Sequence, residues 1–334
     1  MPHDELEEDI GMDKILFDAL QVRFVKLRFT VVFMEDSILP KNKVSDIRGG
    51  IGEMLIRMNC VWDRQCVECG LKMECIVQKV MNPEFERNPE FAATGGGIGY
   101  ILECENYKDS FKAGDKLNFY LILFGKTIAY FYQFYQAILA LGRQEGIGKY
   151  HAKFQIVGIR NMEGMSILER NSINMDRFIV HTLYDYILFR KLKHNISKKE
   201  CTIIFDTPLA LKYQNEFLKE YQMEAIMTAI KRRVYLLNCF EGIECDILRQ
   251  DGIDIMPQIV EQEHHQIGVS CHFVQKNKKA VLNGLIGYAK FSNLTEGAMV
   301  LLLVGELLHI GKNTGFGFGR FHMQAENRHS RNHI

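Results

Sequence analysis

The sequence predicts an α+β protein of two tandem ferredoxin-like domains, and two observations carry that expectation. Strand-like and helix-like segments follow one another as β-α-β-β-α-β between residues 22 and 159, and residues 201 to 324 repeat the order loosely. A length of 334 residues with 47% apolar residues suits two units with full cores. No sequence repeat of fixed period accompanies the pattern, so the halves are related by element order alone. The domains are expected over residues 15–165, with a cysteine-bearing insertion at 60–75, and over 195–324.

The elements can be justified in turn. Val22–Met34 alternates β-branched and aromatic residues with polar ones, as a strand does. Pro40 breaks the chain, Ser45 or Asp46 offers a cap, and Ile47–Asn59 puts Ile47, Ile51, Met54, Leu55 and Met58 on one helical face. Strands are expected at Tyr100–Cys104, Lys116–Phe124 and Lys153–Ile159, with a buried helix over Ile128–Leu141. Residues 160–200 read as the boundary. Beyond it come a strand at Cys201–Phe205, a turn at Thr207-Pro208 and a long helix over Phe217–Asn238. Short strands at Ile267–Phe273 and Leu285–Phe291, an apolar helix over Ala298–His309 and a strand at Arg320–Gln324 complete the set. Residues 1–14 and 325–334 read as frayed tails.

Bulk composition narrows the function classes. No run of 18 uncharged apolar residues exists, so no transmembrane helix is expected. The acidic N-terminus lacks an apolar core region, which makes cytoplasmic the expected location. Formal net charge is zero, which argues against a uniformly basic nucleic-acid binder. Local clusters such as Lys276, Lys278 and Lys279 matter more than the average. Arg232 and Arg233 read as a solvated helix face. Phe131, Tyr132, Phe134 and Tyr135 read as core aromatics rather than a base-stacking surface.

Nine cysteines in a cytoplasmic chain argue against disulfides. Cys60, Cys66, Cys69 and Cys75 are spaced C-x5-C-x2-C-x5-C, which suits a structural zinc held by four thiolates. An iron–sulfur cluster and a set of free thiols are the alternatives. The segment Leu307–Phe321, LLHIGKNTGFGFGRF, places Gly311, Gly315, Gly317 and Gly319 between Lys312 and Arg320. Such glycines leave N–H donors open to phosphate oxygens, with a tight β-turn as the plain alternative. Neither the P-loop pattern nor the dinucleotide fingerprint is present.

GELLHIGKNTGFGFGRF resembles the C-terminal glycine-rich signature of the CRISPR-associated pre-crRNA-processing endoribonucleases of the RAMP superfamily. Pro40–Cys60 with Arg48-Gly49, the Cys60–Cys75 cluster, FDTPLALK at Phe205–Lys212 and LNGLIGYAKFS at Leu282–Ser292 resemble further pieces of that family in the same order. The resemblance implies paired RRM-like, RAMP domains with CRISPR repeat RNA in the cleft or across one face. It also implies metal-independent cleavage by the RNA's own 2′-hydroxyl, with no cofactor for catalysis. The products would be a 2′,3′-cyclic phosphate and a 5′-hydroxyl. The alternative within the family is a non-catalytic RNA-binding subunit of an effector ribonucleoprotein. Expected partners are the repeat RNA, other effector subunits and, through an exposed sheet edge, a second copy of the chain. No membrane is among them.

That chemistry needs a base, an acid and cations around the phosphorane. Histidine suits the first two roles. The family places a histidine in or beside the first helix, whereas this chain has neither histidine nor tyrosine between Phe24 and Cys60. The catalytic candidates are therefore Lys41, Lys43 and Arg48 in that region, with His272 and His309 from the second domain. The RNA-binding candidates are Gly311, Lys312, Gly315, Gly317, Gly319, Arg320, Lys276, Lys278 and Lys279.

Overall fold

A computed structural model describes residues 14–62, 64–91, 97–170, 172–193, 200–248, 257–273 and 278–325. The tails expected to fray, residues 1–13 and 326–334, lie outside it. The first domain is built from β1 (Arg23–Phe33), α1 (Lys43–Asn59), β2 (Tyr100–Glu103), β3 (Lys116–Phe124), α2 (Phe131–Ala140) and β4 (Phe154–Arg160). Its sheet runs β2-β3-β1-β4 with antiparallel neighbours, the ferredoxin-like order. Alternation along β1 sends Val25, Leu27, Phe29, Val31 and Phe33 into the core with α1 and α2. It leaves Lys26, Arg28 and Thr30 on the opposite face, which carries no helix of this domain.

A helix, α3 (Leu183–Lys193), precedes the second domain. That domain comprises β5 (Glu200–Leu209), α4 (Met223–Glu241), β6 (Gln258–Phe273), β7 (Lys278–Ser292), α5 (Glu296–Leu308) and β8 (Phe321–Ala325). Its sheet runs β6-β7-β5-β8, the same order by position in the unit. Helix α5 is buried from Ala298 to Leu308, as an all-round apolar helix must be. Thr295 caps it by accepting the Ala298 N–H at 3.2 Å. The second core also takes in Phe24, Ile101, Ile122 and Phe124 of the first domain, so the two units are fused by apolar packing. No helix among the described residues is long and apolar enough to cross a membrane.

Several boundaries differ from expectation, each for a physical reason. Helix α1 starts at Lys43, before either expected cap, with Asn42 in the cap position. The Asn42 amide bonds to the second domain instead of capping. The helix expected over Ile128–Leu141 opens as a 3-10 turn at Gly125–Tyr130 and ends as a π turn at Leu141–Glu145. Helix α3 lies in the expected boundary region, because Arg190 and Lys191 obscure an apolar side formed by buried Leu183, Tyr186 and Ile187. Strands β6 and β7 are twice the expected length. The added residues, 258–266 of β6 and 278–284 of β7, include no buried side chain among those described and so lack apolar alternation. Thr207-Pro208 is no turn but part of an irregularity within β5. Helix α4 begins late because Lys212–Tyr213 and Glu216–Phe217 pair as a tight hairpin.

Candidate nucleic-acid interface

The Gly-rich loop sits directly on the N-terminal end of α1. Asn42 Nδ2 donates to the Phe316 carbonyl at 3.1 Å and lies 3.5 Å from Cys271 Sγ on β6. The Arg48 guanidinium lies 5.1 Å from the Phe316 ring centroid and 6.0 Å from that of Tyr100, a cation–π seat on both sides. A cavity of about 380 Å³ opens here, lined among others by Lys41, Asn42, Pro208, Val269, Phe316 and Arg320. Lys41 is exposed beside it, and Lys312 is exposed with its ammonium 5.9 Å from the Phe217 ring. The loop thus joins the two domains at a surface with accessible cations.

The glycines close a tight turn, the plainer of the two expectations, and two of the four donate their N–H groups to main-chain carbonyls. The N–H groups of Phe316, Gly317 and Gly319 already donate to Asn313, Thr314 and Pro208 carbonyls at 2.8, 2.9 and 2.9 Å. They do not await a phosphate. Gly311, Gly317 and Gly319 have φ of +85°, +81° and +72°, where a side chain is strained. A Cβ on Gly315 would come within 3.2 Å of Arg48 Nε, and one on Gly317 within 3.1 Å of Val44. The loop is glycine-rich because it turns tightly and lies close against α1.

Three catalytic or RNA-binding expectations are corrected by burial and pairing. Lys43 is 1% exposed, its ammonium donating to the Pro40 carbonyl at 3.3 Å, and burial lowers its pKa. His309 is fully buried at the end of α5, with Nε2 3.2 Å from Glu103 Oε1, and burial pulls its pKa down. Both side chains are buried. Arg320 bonds to Glu105 and lies 4.0 Å from Glu103 and 3.8 Å from Asp206, so its charge is already matched. His272 lies on β6 opposite Lys279, and Lys278 lies opposite Phe273, which puts these backbones on the hairpin whose Cys271 touches Asn42. Lys276 lies outside the described residues.

The four clustered cysteines line one cavity of about 210 Å³ beyond the C-terminal end of α1. No three His, Cys, Asp or Glu side chains among the described residues gather closely enough to hold a metal. Arg233 is not solvated. It donates to the Gly97 carbonyl at 3.3 Å, and burial brings its pKa down to about 10. Phe131, Phe134 and Tyr135 are buried as expected, whereas Tyr132 is 58% exposed because it falls on the outer side of α2.

What the sequence did not reveal is a buried charge network between the domains. Glu103 is 2% exposed, 2.8 Å from Lys26 and bonded to His309. Burial pushes its carboxyl up, but Lys26 and the His309 bond outweigh that and hold it well below the usual carboxylate range. Across the same wall, His322 Nδ1 lies 3.0 and 3.1 Å from the two Asp206 oxygens. That bond raises the imidazole pKa against the effect of burial. The partners stand 206 and 116 residues apart, so no local spacing signals them.

Residues 203–321 match the family described as CRISPR-associated endoribonuclease Cas6, and residues 20–177 match a family described as an N-terminal domain. No curated protein matches the chain in sequence. Among solved structures, a partial Cas6-RT-Cas1–Cas2 complex aligns with a TM-score of 0.54 and 9% identity over 94% of this chain and 48% of that one. A second Cas6-RT-Cas1–Cas2 complex aligns equally well, over 94% of this chain and 30% of its own. A Cas6 product complex aligns at 0.51 and 13% identity, over 91% of this chain and 100% of that one. The chain thus spans about half or less of the first two and the full length of the third. At these identities the likeness is one of fold.

Proposed function

We propose that the chain is a CRISPR-associated Cas6 endoribonuclease, a reading that the family match of residues 203–321 and the likeness in fold support, and that it cuts CRISPR repeat RNA into guide-length pieces without a metal. The observation that carries this reading is the Gly-rich loop seated on α1, with Lys41 exposed at an interdomain cavity and Lys312 exposed on the loop itself. Arg48 braces the loop from beneath. RNA lying there meets cations from both domains at once, and a strand fixed at two points is held in the geometry that in-line attack requires. The 2′-oxygen attacks the adjacent phosphorus, giving a 2′,3′-cyclic phosphate and a 5′-hydroxyl.

The test is cleavage of labelled repeat RNA in EDTA, beside RNA carrying a 2′-deoxy nucleotide at the cut. Cutting of the normal RNA alone is expected. Cutting of both, or dependence on added metal, would refute the mechanism.

A second reading is that of an RNA-binding subunit without activity. It is favoured by the lack of an accessible described imidazole at the Gly-rich loop. Tight RNA binding with no cleavage, and co-purification with other effector subunits, would establish it. A structural zinc at Cys60, Cys66, Cys69 and Cys75 belongs to this proposal too. Their shared cavity supports it, and metal analysis of purified protein against a Cys66→Ser, Cys69→Ser variant tests it.

A further inference from the structure

A second cavity, about 820 Å³, opens where the helix-free faces of the two sheets look toward each other. It shares Glu103 and Arg320 with the cavity at the Gly-rich loop, so the two adjoin. A volume of this size is in the range of ligand pockets.

One wall is a row across three neighbouring strands. Arg28 on β1 stands in register with Tyr120 on β3 and with Arg160 on β4. Like charges directly opposite on paired strands repel. No carboxylate pairs with either arginine among the described residues. Arg160 Nη1 donates to the Gly164 carbonyl at 2.7 Å, while Arg28 Nε is buried without a partner. The other cations of the cavity are matched: Lys26 by Glu103, Arg190 by Glu306 and Arg320 by Glu105. Arg28 and Arg160 therefore form a repelling pair whose missing partner is an anion.

The facing wall is β8. His322 is paired in register with Ile204, two residues before Asp206, which places the imidazole and the carboxylate on one face of the sheet. The Asp206 contact occupies Nδ1 and leaves Nε2 as the ring's other nitrogen. The His322 side chain is 44% exposed and lines the cavity. Among the described histidines, His309 is buried and His181 is bonded to Glu163 at 2.8 Å. His151 lies against Glu145 in a cavity that also contains Asp46 and Glu53. His264 and His265 lie on β6, and among the described histidines only His322 lines this cavity.

We propose that this cavity receives the scissile phosphodiester between Arg28 and Arg160, and that His322 is the general acid that protonates the leaving 5′-oxygen. The inference rests on the cleavage reading above and supplies the imidazole that the Gly-rich loop lacks. RNA crossing that loop passes Arg320 to reach the second cavity. As the 2′-oxygen bonds to phosphorus, the phosphorus–O5′ bond breaks. The Nε2 proton of His322 goes to O5′, and the 2′-hydroxyl proton goes to water. Asp206 holds the ring and favours its protonated form, and water returns the proton afterwards. The charges around the ring are Asp206 on β5, Glu306 on α5, Arg190 on α3, Arg320 on β8 and Lys26, Arg28 and Arg160 of the opposite sheet.

The experiment uses the full chain, RNA of its own array's repeat in EDTA, and a second RNA with sulfur at the bridging 5′ position of the cut. A thiolate leaves without a proton. His322→Gln is expected to slow normal RNA by about 100-fold or more. It should leave RNA affinity and melting temperature close to wild type, and cut the sulfur substrate at nearly the wild-type rate. Asp206→Asn should move the alkaline fall of the pH–rate profile to lower pH. If His322→Gln cuts normal RNA as fast as wild type, or if sulfur does not restore it, the inference is wrong. If wild-type protein cuts neither RNA, the cleavage reading fails first, and this inference with it.

Discussion

Glu103 is the residue on which the interdomain charges depend. Replacing it with Gln leaves Lys26, 19% exposed, without its counter-charge. The expected loss is about 3 kcal/mol in urea unfolding, since breaking a buried pair exposes the full desolvation cost of the survivor. Its pH signature follows from the depressed pKa: the stabilisation is present above the ordinary glutamate range and is lost only as pH falls through the folded value. His322 has the opposite sign. Its pKa is raised by Asp206, so its stabilisation is complete below about pH 6.5 and is lost as pH rises through the folded value. Melting temperature measured from pH 5 to 9 should therefore decline more in wild type than in His322→Gln. A parallel decline in both would contradict the pairing. Neither residue was legible from sequence. A glutamate at the end of a strand and a histidine in the last strand look ordinary until folding brings Lys26 and Asp206 to them.

At the scale of elements, the Gly-rich loop shows both what pattern conveys and what it omits. Its glycines were visible at once, yet their purpose was not. Main-chain bonds that close the turn occupy the N–H groups of Gly317 and Gly319. The loop's tolerance to substitution should split accordingly. A Cβ on Gly319 would overlap the Ile310 carbonyl oxygen and impose a left-handed backbone on alanine. Gly319→Ala should destabilise by about 2 kcal/mol or more. Gly315 has no positive φ and meets only the Arg48 side chain, so Gly315→Ala should cost under about 1 kcal/mol while perturbing RNA binding through Arg48. Equal losses in thermal unfolding would disprove this account. Strands β1 and β3 were readable almost to the residue because one face is buried, and the alternation that results is written in the chain. The β6–β7 hairpin was read short because residues 258–266 and 278–284 bury no described side chain that would leave such a trace. Helix α3 was missed for a related reason: its basic residues hide a narrow apolar side.

For the molecule as a whole, element order sufficed to anticipate two ferredoxin-like sheets, because each half must bury the same kind of face. The meeting of the sheets was not foreseeable, since the cavity between them is built from single residues of many strands. Zero net charge also misled at this scale. Lys26, Arg28, Arg160, Arg190, Arg320 and His322 line one cavity against Glu103 and Glu306, which leaves a local excess of positive charge. RNA affinity should therefore fall with salt despite neutrality, and Arg160→Ala should reduce the log–log slope by about 1. An unchanged slope would mean that no phosphate reaches Arg160. The closing strand β8 has a consequence for how the chain is made. Glu306 of α5 bonds to the Met323 N–H and to Arg190 of α3, so the last strand locks two helices translated before it. It follows the Gly-rich loop directly and brings His322 with it. A polypeptide released by the ribosome before Arg320 would thus lack both the clamp and the acid. A partly made copy would be unable to cut RNA, whatever surface it already presents.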